Sequence, residues 1–393
     1  MKTYKLAIVG ATGLVGRTAL KILEEKNLPN FEYTLFSSNK SAGTTLNFFN
    51  KDYIVQELKE DSFDIGFDFA IFSAGGKTSE HFAPIAASKG CIVIDNSSTF
   101  RMDDDVPLIV PEVNFQDIIT HHNIIANPNC STIQAVVALK PLDDNFKIKR
   151  IVYSTYQAVS GAGKLGLEDL ENGRKNLDKP LIKFPHPIYD NCLPHIDVFL
   201  LNRYTKEEMK MINETRKILG HPNLPITATT VRVPVSNCHG ESINIEFEKD
   251  FSIEEAISVL KNFPGIIVED NPNTNLYPLA STAKGHDEVF VGRIRKDFSV
   301  KSGLNMWVVA DNLRKGAASN AIQIMERMIQ EWKNVYLLEL QQLLLLLLTQ
   351  MALIPKNSKN SYNFKYHLEL THSLYVALQA NPAPWPNKKE LML

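Results

Sequence analysis

The sequence has few cysteines, no long apolar run and no surplus of charge of either sign. Four cysteines, Cys91, Cys130, Cys192 and Cys238, are spread through 393 residues, and no two form a C-x-x-C pair. No Cys/His group has zinc spacing, so neither a structural metal nor a disulfide framework is expected. The 42 basic and 44 acidic residues leave a net charge of -2 with no clustered Lys/Arg stripe. That balance lacks the basic surface by which a chain holds nucleic acid or an anionic membrane, and neither is expected as a partner. The longest unbroken apolar run is Leu343–Leu348, flanked by Glu339, Gln341, Gln342 and Gln350. A bilayer needs about 20 apolar residues, so a surface-packed or oligomer-packing helix is expected there, not a membrane span. The opening "MKTYKLAIVG" enters an apolar strand pattern with no secretory-signal core or cleavage site. Secretion is therefore not expected, and a reduced cytoplasmic setting is.

What is present is an ordinary globular composition, 44% hydrophobic and 22% charged, in a chain long enough for two domains or more. "YKLAIVG", "FEYTLFSS", "DFAIFSAGG" and "CIVIDNSS" read as strands, and "LVGRTALKILEEK" and "KTSEHFAPIAASKG" as helices between them. Strands alternating with helices predict an α/β fold with a Rossmann-like, doubly wound parallel sheet over residues 1–127. From Ile151 the texture changes: "RIVYSTYQAVSG", "TATTVRVPV" and "ESINIEFEK" are β-rich, with the helical "TKEEMKMINETRKILG" among them. A mixed α+β catalytic and dimerisation domain is expected over 128–311. A C-terminal helix over 312–330 is expected to pack back on the first domain. An atypical tail, partly helical or disordered, is expected over 331–393.

Gly10, Gly13 and Gly16 form G-x-x-G-x-x-G between the first strand and the first helix. Glycine permits the tight turn and close approach of backbone to a pyrophosphate, and the helix start offers free N–H groups. A ligand-free glycine turn is the plainer alternative, but the strand before and the helix after favour a dinucleotide. The second strand ends "SSNKSAG", where Ser38 and Lys40 would meet a ribose 2′-phosphate. That suggests NADP, since NAD more often calls for an acidic residue there, although a solvated loop lysine is nearly as good a reading of Lys40.

"NPNCSTIQ" places Cys130 at or just before a helix start. The helix dipole and free N–H groups there favour thiolate and would hold an oxyanion. A buried, inert thiol is the bland alternative, which fits Cys91 inside "CIVID" better than Cys130 between Asn129 and Ser131. A nucleophilic thiol needs a base, and "RVPVSNCHGES" offers His239 at a strand end, with Arg232 seven residues earlier. That odd offset along one strand would put the two on opposite faces, so a bend or bulge is expected between them.

Taken together, "GATGLVG", "DNSSTFRMDDDVPLIVPEVN", "NPNCSTIQ", "TYQAVSGAGKLG", "NETRKIL", "RVPVSNCHGES" and "DNLRKGAASNAIQI" resemble aspartate-semialdehyde dehydrogenases of the bacterial type over about residues 4–330. The resemblance implies an enzyme that interconverts aspartate 4-semialdehyde and 4-aspartyl phosphate with NADP and inorganic phosphate, in the biosynthesis of lysine, threonine, methionine and isoleucine. It implies Cys130 as nucleophile, His239 as acid/base and Gln157 as orienting amide. Arg232 would grip the substrate carboxylate and Glu214 would lie near the amino group, while Arg101, Asn129 and Lys217 would hold phosphate. Thr12, Leu14, Val15, Ser160, Gly161 and Asn312 join the three glycines, Ser38 and Lys40 as implied cofactor-binding positions. A homodimer built through the β-rich domain is also implied.

Lys40 stands where the family usually has arginine, which softens the expected preference for NADP and leaves NAD use open. The tail from about Glu331 has no counterpart in the pattern. Two rival readings remain: an N-acetyl-glutamyl-phosphate reductase, against which "NPNCSTIQ" argues, and a catalytically silent homologue with a binding or assembly role.

Overall fold

The computed structural model describes residues 3–28, 30–177 and 179–352. Its large compact unit, Lys5–Leu28 with Tyr33–Ile324, holds two six-stranded sheets. A small unit contains the long C-terminal helix from Met325 onward and the short stretches at Tyr4 and Phe31, whose rings lie 5.5 Å apart.

The first sheet is formed by β1 (Tyr4–Val9), β2 (Phe31–Ser37), β3 (Gln56–Glu57), β4 (Phe69–Phe72), β5 (Ile92–Asp95) and β6 (Ile124–Ala126). It is parallel, in the order β3-β2-β1-β4-β5-β6, which reverses direction between β1 and β4. β4 and β5 are buried along their whole length, as their unbroken apolar sequences require of strands covered on both faces. Helices α1 (Leu14–Lys26) and α2 (Gly76–Ser88) follow β1 and β4. Sequence reading passed over an antiparallel ribbon, Thr45–Phe48 with Lys51–Ile54, that follows the Lys40 turn.

The second sheet is mixed. Its strands are β7 (Ile148–Gln157), β8 (Ile226–Arg232), β9 (His239–Phe247), β10 (Ile266–Val268), β11 (Val289–Asp297) and β12 (Gly303–Ala310), in the order β8-β7-β9-β12-β11-β10. β8 runs parallel to β7, while β9 is antiparallel to both β7 and β12. Helices α3 (Cys130–Phe146), α4 (Lys206–Leu219) and α5 (Ile253–Lys261) supply apolar side chains to the core on this sheet. α3 buries Ile133, Val136, Val137 and Leu139 alike, because it is covered nearly all round.

His239 does not end a strand, as expected, but opens β9, so the bend anticipated between it and Arg232 is a full change of strand. Arg232 pairs with Gln157, and Gly240 pairs with Tyr156, which sets His239 one register step on, on the other side of β7. Helix α6 (Ser319–Ala352) crosses the boundary expected at residue 330 without a break. The rest of the expected tail, from residue 353, lies outside the described residues. Among the described residues no helix is long and apolar enough to cross a membrane.

The glycine turn is sterically obligatory. Gly10 has φ +86°, and a Cβ on Gly16 would stand 2.2 Å from the Gly10 carbonyl oxygen. Gly16→Val should lower the free energy of unfolding by about 1–3 kcal/mol, the usual cost of overpacking, read as a lower midpoint in urea. An unchanged midpoint would show that the turn yields.

Candidate active site

A cavity of about 620 Å³ opens between the end of the second sheet and the turns that follow β4 and β5. Cys130, Arg101, Gln157, Arg232, Glu207 and Lys210 line it, with Gly75, Gly76, Ser97 and Ser98 on the side of the first sheet. The site thus lies beyond the carboxyl ends of the parallel strands, where open α/β sheets bind ligands.

Cys130 is the first residue of α3 and Asn129 is its N-cap. The Asn129 Oδ1 accepts the N–H groups of Ser131 (3.0 Å) and Thr132 (3.3 Å). Asn129 is held in turn: its N–H donates to Glu214 Oε2 at 2.7 Å and its Nδ2 to Glu207 Oε1 at 2.9 Å. Gly316 backs the nucleophile so closely that a Cβ there would lie 2.8 Å from that of Cys130. The expectation of a resting thiolate is corrected. Burial pushes the thiol up to about 12, and the Glu207 carboxylate acts in the same direction. Arg232, Arg101 and the Ser131 N–H pull it down without prevailing, and a helix start already capped by a side chain adds little more.

Glu207 and Lys210 are the pair that sequence reading missed. α4 carries Glu-x-x-Lys twice, at 207/210 and at 214/217, and seven residues is close to two helical turns. Both pairs share a face, so spacing alone does not choose between them. Only the first reaches the cavity. Glu207 Oε1 accepts from Asn129 Nδ2 and from Gln157 Nε2 (3.1 Å), and Oε2 accepts from Lys210 at 3.0 Å. Burial works against its charge, but the Lys210 ammonium and these hydrogen bonds hold its carboxyl down at about 2. Lys210 also donates to Asp197 at 2.9 Å.

Glu214 and Lys217, expected at the ligand, lie elsewhere. Glu214 is consumed by Asn129 and by Arg101, whose Nη1 donates to its Oε1 at 3.0 Å. Lys217 donates to three carbonyls, those of Arg101, Asp103 and Val106. Neither residue lines the cavity, and their work is to fix Arg101 and its loop. Arg101 itself is buried and lines the cavity, with further bonds to the Asn127 and Asn96 carbonyls. Its guanidinium has five N–H groups and these bonds use three, which leaves donors for an anion.

Gln157, Arg232 and His239 meet at the cavity end of the second sheet. Arg232 spends one N–H on the Ala158 carbonyl (2.7 Å). His239 is wholly buried, and its Nδ1 accepts the Ala158 N–H at 3.0 Å, so the ring carries its hydrogen on Nε2. Burial drives its pKa down to about 3, with Arg232 pushing the same way and Glu207 and the Cys238 backbone opposing. His239 is therefore neutral at physiological pH. Its Nε2 has no partner among the described residues, and it sits beneath Gly161, whose missing Cβ would lie 3.2 Å away.

On the first sheet the residues present fit a dinucleotide. Gly13 caps α1 with no side chain, which leaves the first N–H groups of the helix, those of Leu14 and Val15, without a side-chain cap. Gly10 approaches the Ser73 backbone more closely than any Cβ allows. Ser38 and Lys40 are exposed in the turn after β2. Ser160 and Asn312 hydrogen-bond each other at 3.0 Å, and Asn312 Oδ1 also takes the Cys238 N–H.

Two family models match. One is described as the semialdehyde dehydrogenase NAD binding domain, over residues 5–121, and the other as the semialdehyde dehydrogenase dimerisation domain, over residues 139–315. The aspartate-semialdehyde dehydrogenase of Aquifex aeolicus is 58% identical, over 84% of this chain and 98% of its own length. The chain belongs to the aspartate-semialdehyde dehydrogenase family. The relative from Bacillus subtilis is 46% identical over 82% of this chain and 96% of its own. Among solved structures, aspartate semialdehyde dehydrogenase II of Vibrio cholerae, complexed with ASA, has a TM-score of 0.81 at 44% identity, over 84% of this chain and 99% of that one. The enzyme of Candida albicans, solved with NADP, has a TM-score of 0.66 at 26% identity, over 83% and 98%. This is an oxidoreductase of that family, and its first sheet belongs to a nicotinamide-dinucleotide-binding domain.

With the exposed Cys192 replaced by serine, alkylation of Cys130 in the ligand-free protein should rise about tenfold per pH unit from roughly pH 7 to 10, as thiolate accumulates below a high pKa. No inflection from His239 is expected near its ordinary pKa, because its protonation lies far lower. Mass spectrometry against Cys130→Ala measures the rate, and a plateau near neutrality would mean a thiolate already formed at rest.

Proposed function

We propose that this chain catalyses the reversible, NADP-dependent oxidative phosphorylation of aspartate 4-semialdehyde to 4-aspartyl phosphate through a thioester on Cys130. The observation that carries this reading is that one cavity joins a thiol, two guanidiniums with free donors and a buried carboxylate paired with a half-buried ammonium. The substrate carries a carboxylate, an ammonium and an aldehyde, and inorganic phosphate is a second anion. A planar guanidinium suits a carboxylate, which is the part given to Arg232. Glu207 takes the amino group in place of Glu214. Lys210, with Arg101 and Asn129, takes phosphate in place of Lys217.

Cys130 gives up its proton to solvent, adds to the aldehyde carbon as thiolate, and forms a tetrahedral adduct whose oxygen carries the negative charge until it becomes the thioester carbonyl. A bound dinucleotide would supply the hydride acceptor for the substrate carbon. His239, with its hydrogen on Nε2, donates to the oxygen of the tetrahedral adduct, and Gln157 orients that adduct from the end of β7. Phosphate oxygen then attacks the thioester carbon, the C–S bond breaks, and Cys130 leaves as thiolate. The proposed cofactor contacts are those of Gly10, Thr12, Gly13, Leu14, Val15, Gly16, Ser160, Gly161 and Asn312, with Ser38 and Lys40 at the 2′-phosphate. We place the reaction in the cytoplasm, in a homodimer built on the second sheet, in keeping with the dimerisation-domain description of the matching model.

Reduction of NADP by aspartate semialdehyde with phosphate tests the reading. Cys130→Ala should lose nearly all turnover, and a variant that kept it would remove the thioester. His239→Ala should lose about 10²–10³-fold in kcat, as removal of one donor to a developing oxyanion does. Lys210→Ala should raise KM for phosphate by about 10- to 100-fold, the weight of one charge-assisted hydrogen bond of about 1.5–3 kcal/mol. Lys217→Ala should change it less, since that residue acts only through the Arg101 loop. Equal effects would return phosphate binding to Lys217.

A further inference from the structure

The inner face of the second sheet is polar in two successive layers and apolar below them. Gln157, Arg232 and His239 form the layer at the cavity. Two residues along each strand, with the period of a β-strand, come Thr155, Thr230 and Glu241, paired in register and wholly buried. Tyr153, Ala228 and Ile243 follow, and from there the core is hydrocarbon.

The middle layer holds an unexplained acid. Both carboxyl oxygens of Glu241 lack a hydrogen-bond donor among the described residues. The start of α3 leaves two further buried atoms without partners among the described residues, Ser131 Oγ and Gln134 Oε1, and Thr230 Oγ1, in the same register row but beyond Thr155, is a third. Ser131 is the polar side chain whose interaction with the Glu241 carboxyl opposes the effect of burial. A buried carboxylate with no donor costs several kcal/mol, whereas a carboxylic acid offers an O–H to an orphaned oxygen and a carbonyl to an orphaned hydroxyl.

We propose that Glu241 is a positioning residue: as a neutral carboxylic acid it donates its hydrogen to the Ser131 hydroxyl and so seats the first turn of α3, and with it the thiol of Cys130, over the sheet. Ser131 adjoins the nucleophile, and its N–H is one of the groups that favour thiolate. An ionised Glu241 would add a second negative charge to that of Glu207 near the sulfur. The groups around the acid keep it neutral. Burial raises its carboxyl well above the usual range and the Glu207 carboxylate on α4 adds to this, while the Ser131 side chain acts the other way. Tyr153 on β7 and His239 on its own strand are both uncharged at neutral pH. The inference rests on Cys130 as the nucleophile, but alkylation of the thiol reads the effect of Glu241 even where turnover fails.

Three measurements on the full chain decide it. The infrared spectrum should contain the carbonyl stretch of a protonated carboxylic acid that is absent from Glu241→Gln and unchanged between about pH 6 and 9, since its proton is held well above the usual carboxylate range. Glu241→Gln, which keeps a donor for Ser131, should keep the kcat and the alkylation pH profile of the parent. Glu241→Ala and Ser131→Ala should each lose up to about 10²-fold in kcat, as misplaced catalytic groups do, and the double variant should lose no more than the worse single one. A carboxylate band assigned to Glu241, an inactive Glu241→Gln, or additive losses in the two alanine variants would each overturn the proposal. Should Glu241→Ala fail to fold, the infrared band and the glutamine variant still decide.

Discussion

A carboxylate removed from water must be met by donors, and at Glu207 that requirement ties the active site together. Its two oxygens accept from Asn129 Nδ2, Gln157 Nε2 and Lys210 Nζ. Asn129 caps the nucleophile helix, Gln157 ends a central strand of the second sheet, and Lys210 lies one turn along α4 from Glu207. One buried charge thus sets the spacing of three elements. Arg101 repeats the device two helical turns away, with Glu214 binding both its guanidinium and the Asn129 backbone. The sequence repeat on α4 therefore has two uses: one Glu-x-x-Lys pair faces the ligand, and the other locks the loop that carries an arginine to it.

That repeat marks where sequence reading stops. Type and spacing are identical in the two pairs, and only the approach of α4 to the cavity separates them. Other parts of the site were legible because local chemistry dictates them. Glycines at 10, 13 and 16 are needed wherever strand, turn and helix crowd this tightly, and Pro128 and Asn129 must end one element before Cys130 begins the next. The alternation of apolar strands and amphipathic helices likewise called the first sheet. A strand such as β10 escapes sequence reading because three residues carry no usable period, and the Thr45–Ile54 ribbon because its pattern is half exposed. His239 was placed at the wrong end of a strand. The left-handed turn that reverses the chain there falls on Cys238, φ +70°, a residue that announces no turn.

The state of the thiol was the deepest misreading, and the reason is general. A helix start favours thiolate only while its N–H groups are free and the site is wet. Here the Asn129 side chain takes two of those N–H groups, and the sulfur lies where burial outweighs every local dipole. Neutral His239, its hydrogen fixed on Nε2 by the Ala158 N–H, is in no position to remove the thiol proton at rest. In the free site burial and the Glu207 carboxylate protect the thiol against ionisation, while the half-buried Cys130 still lines the cavity.

Ligand charges then decide when that protection ends. Glu207 disfavours thiolate, whereas Arg232 and Arg101 favour it. A carboxylate laid on Arg232 cancels part of what favours ionisation. An ammonium beside Glu207 cancels part of what opposes it. On the proposed substrate assignment, an amino-acid aldehyde brings both charges and leaves the balance level. An aldehyde with the carboxylate alone would make the sulfur harder to ionise, even if it bound well. Discrimination for the amino group would then arise in the ionisation of the nucleophile as well as in binding, and would be felt in kcat as well as in KM.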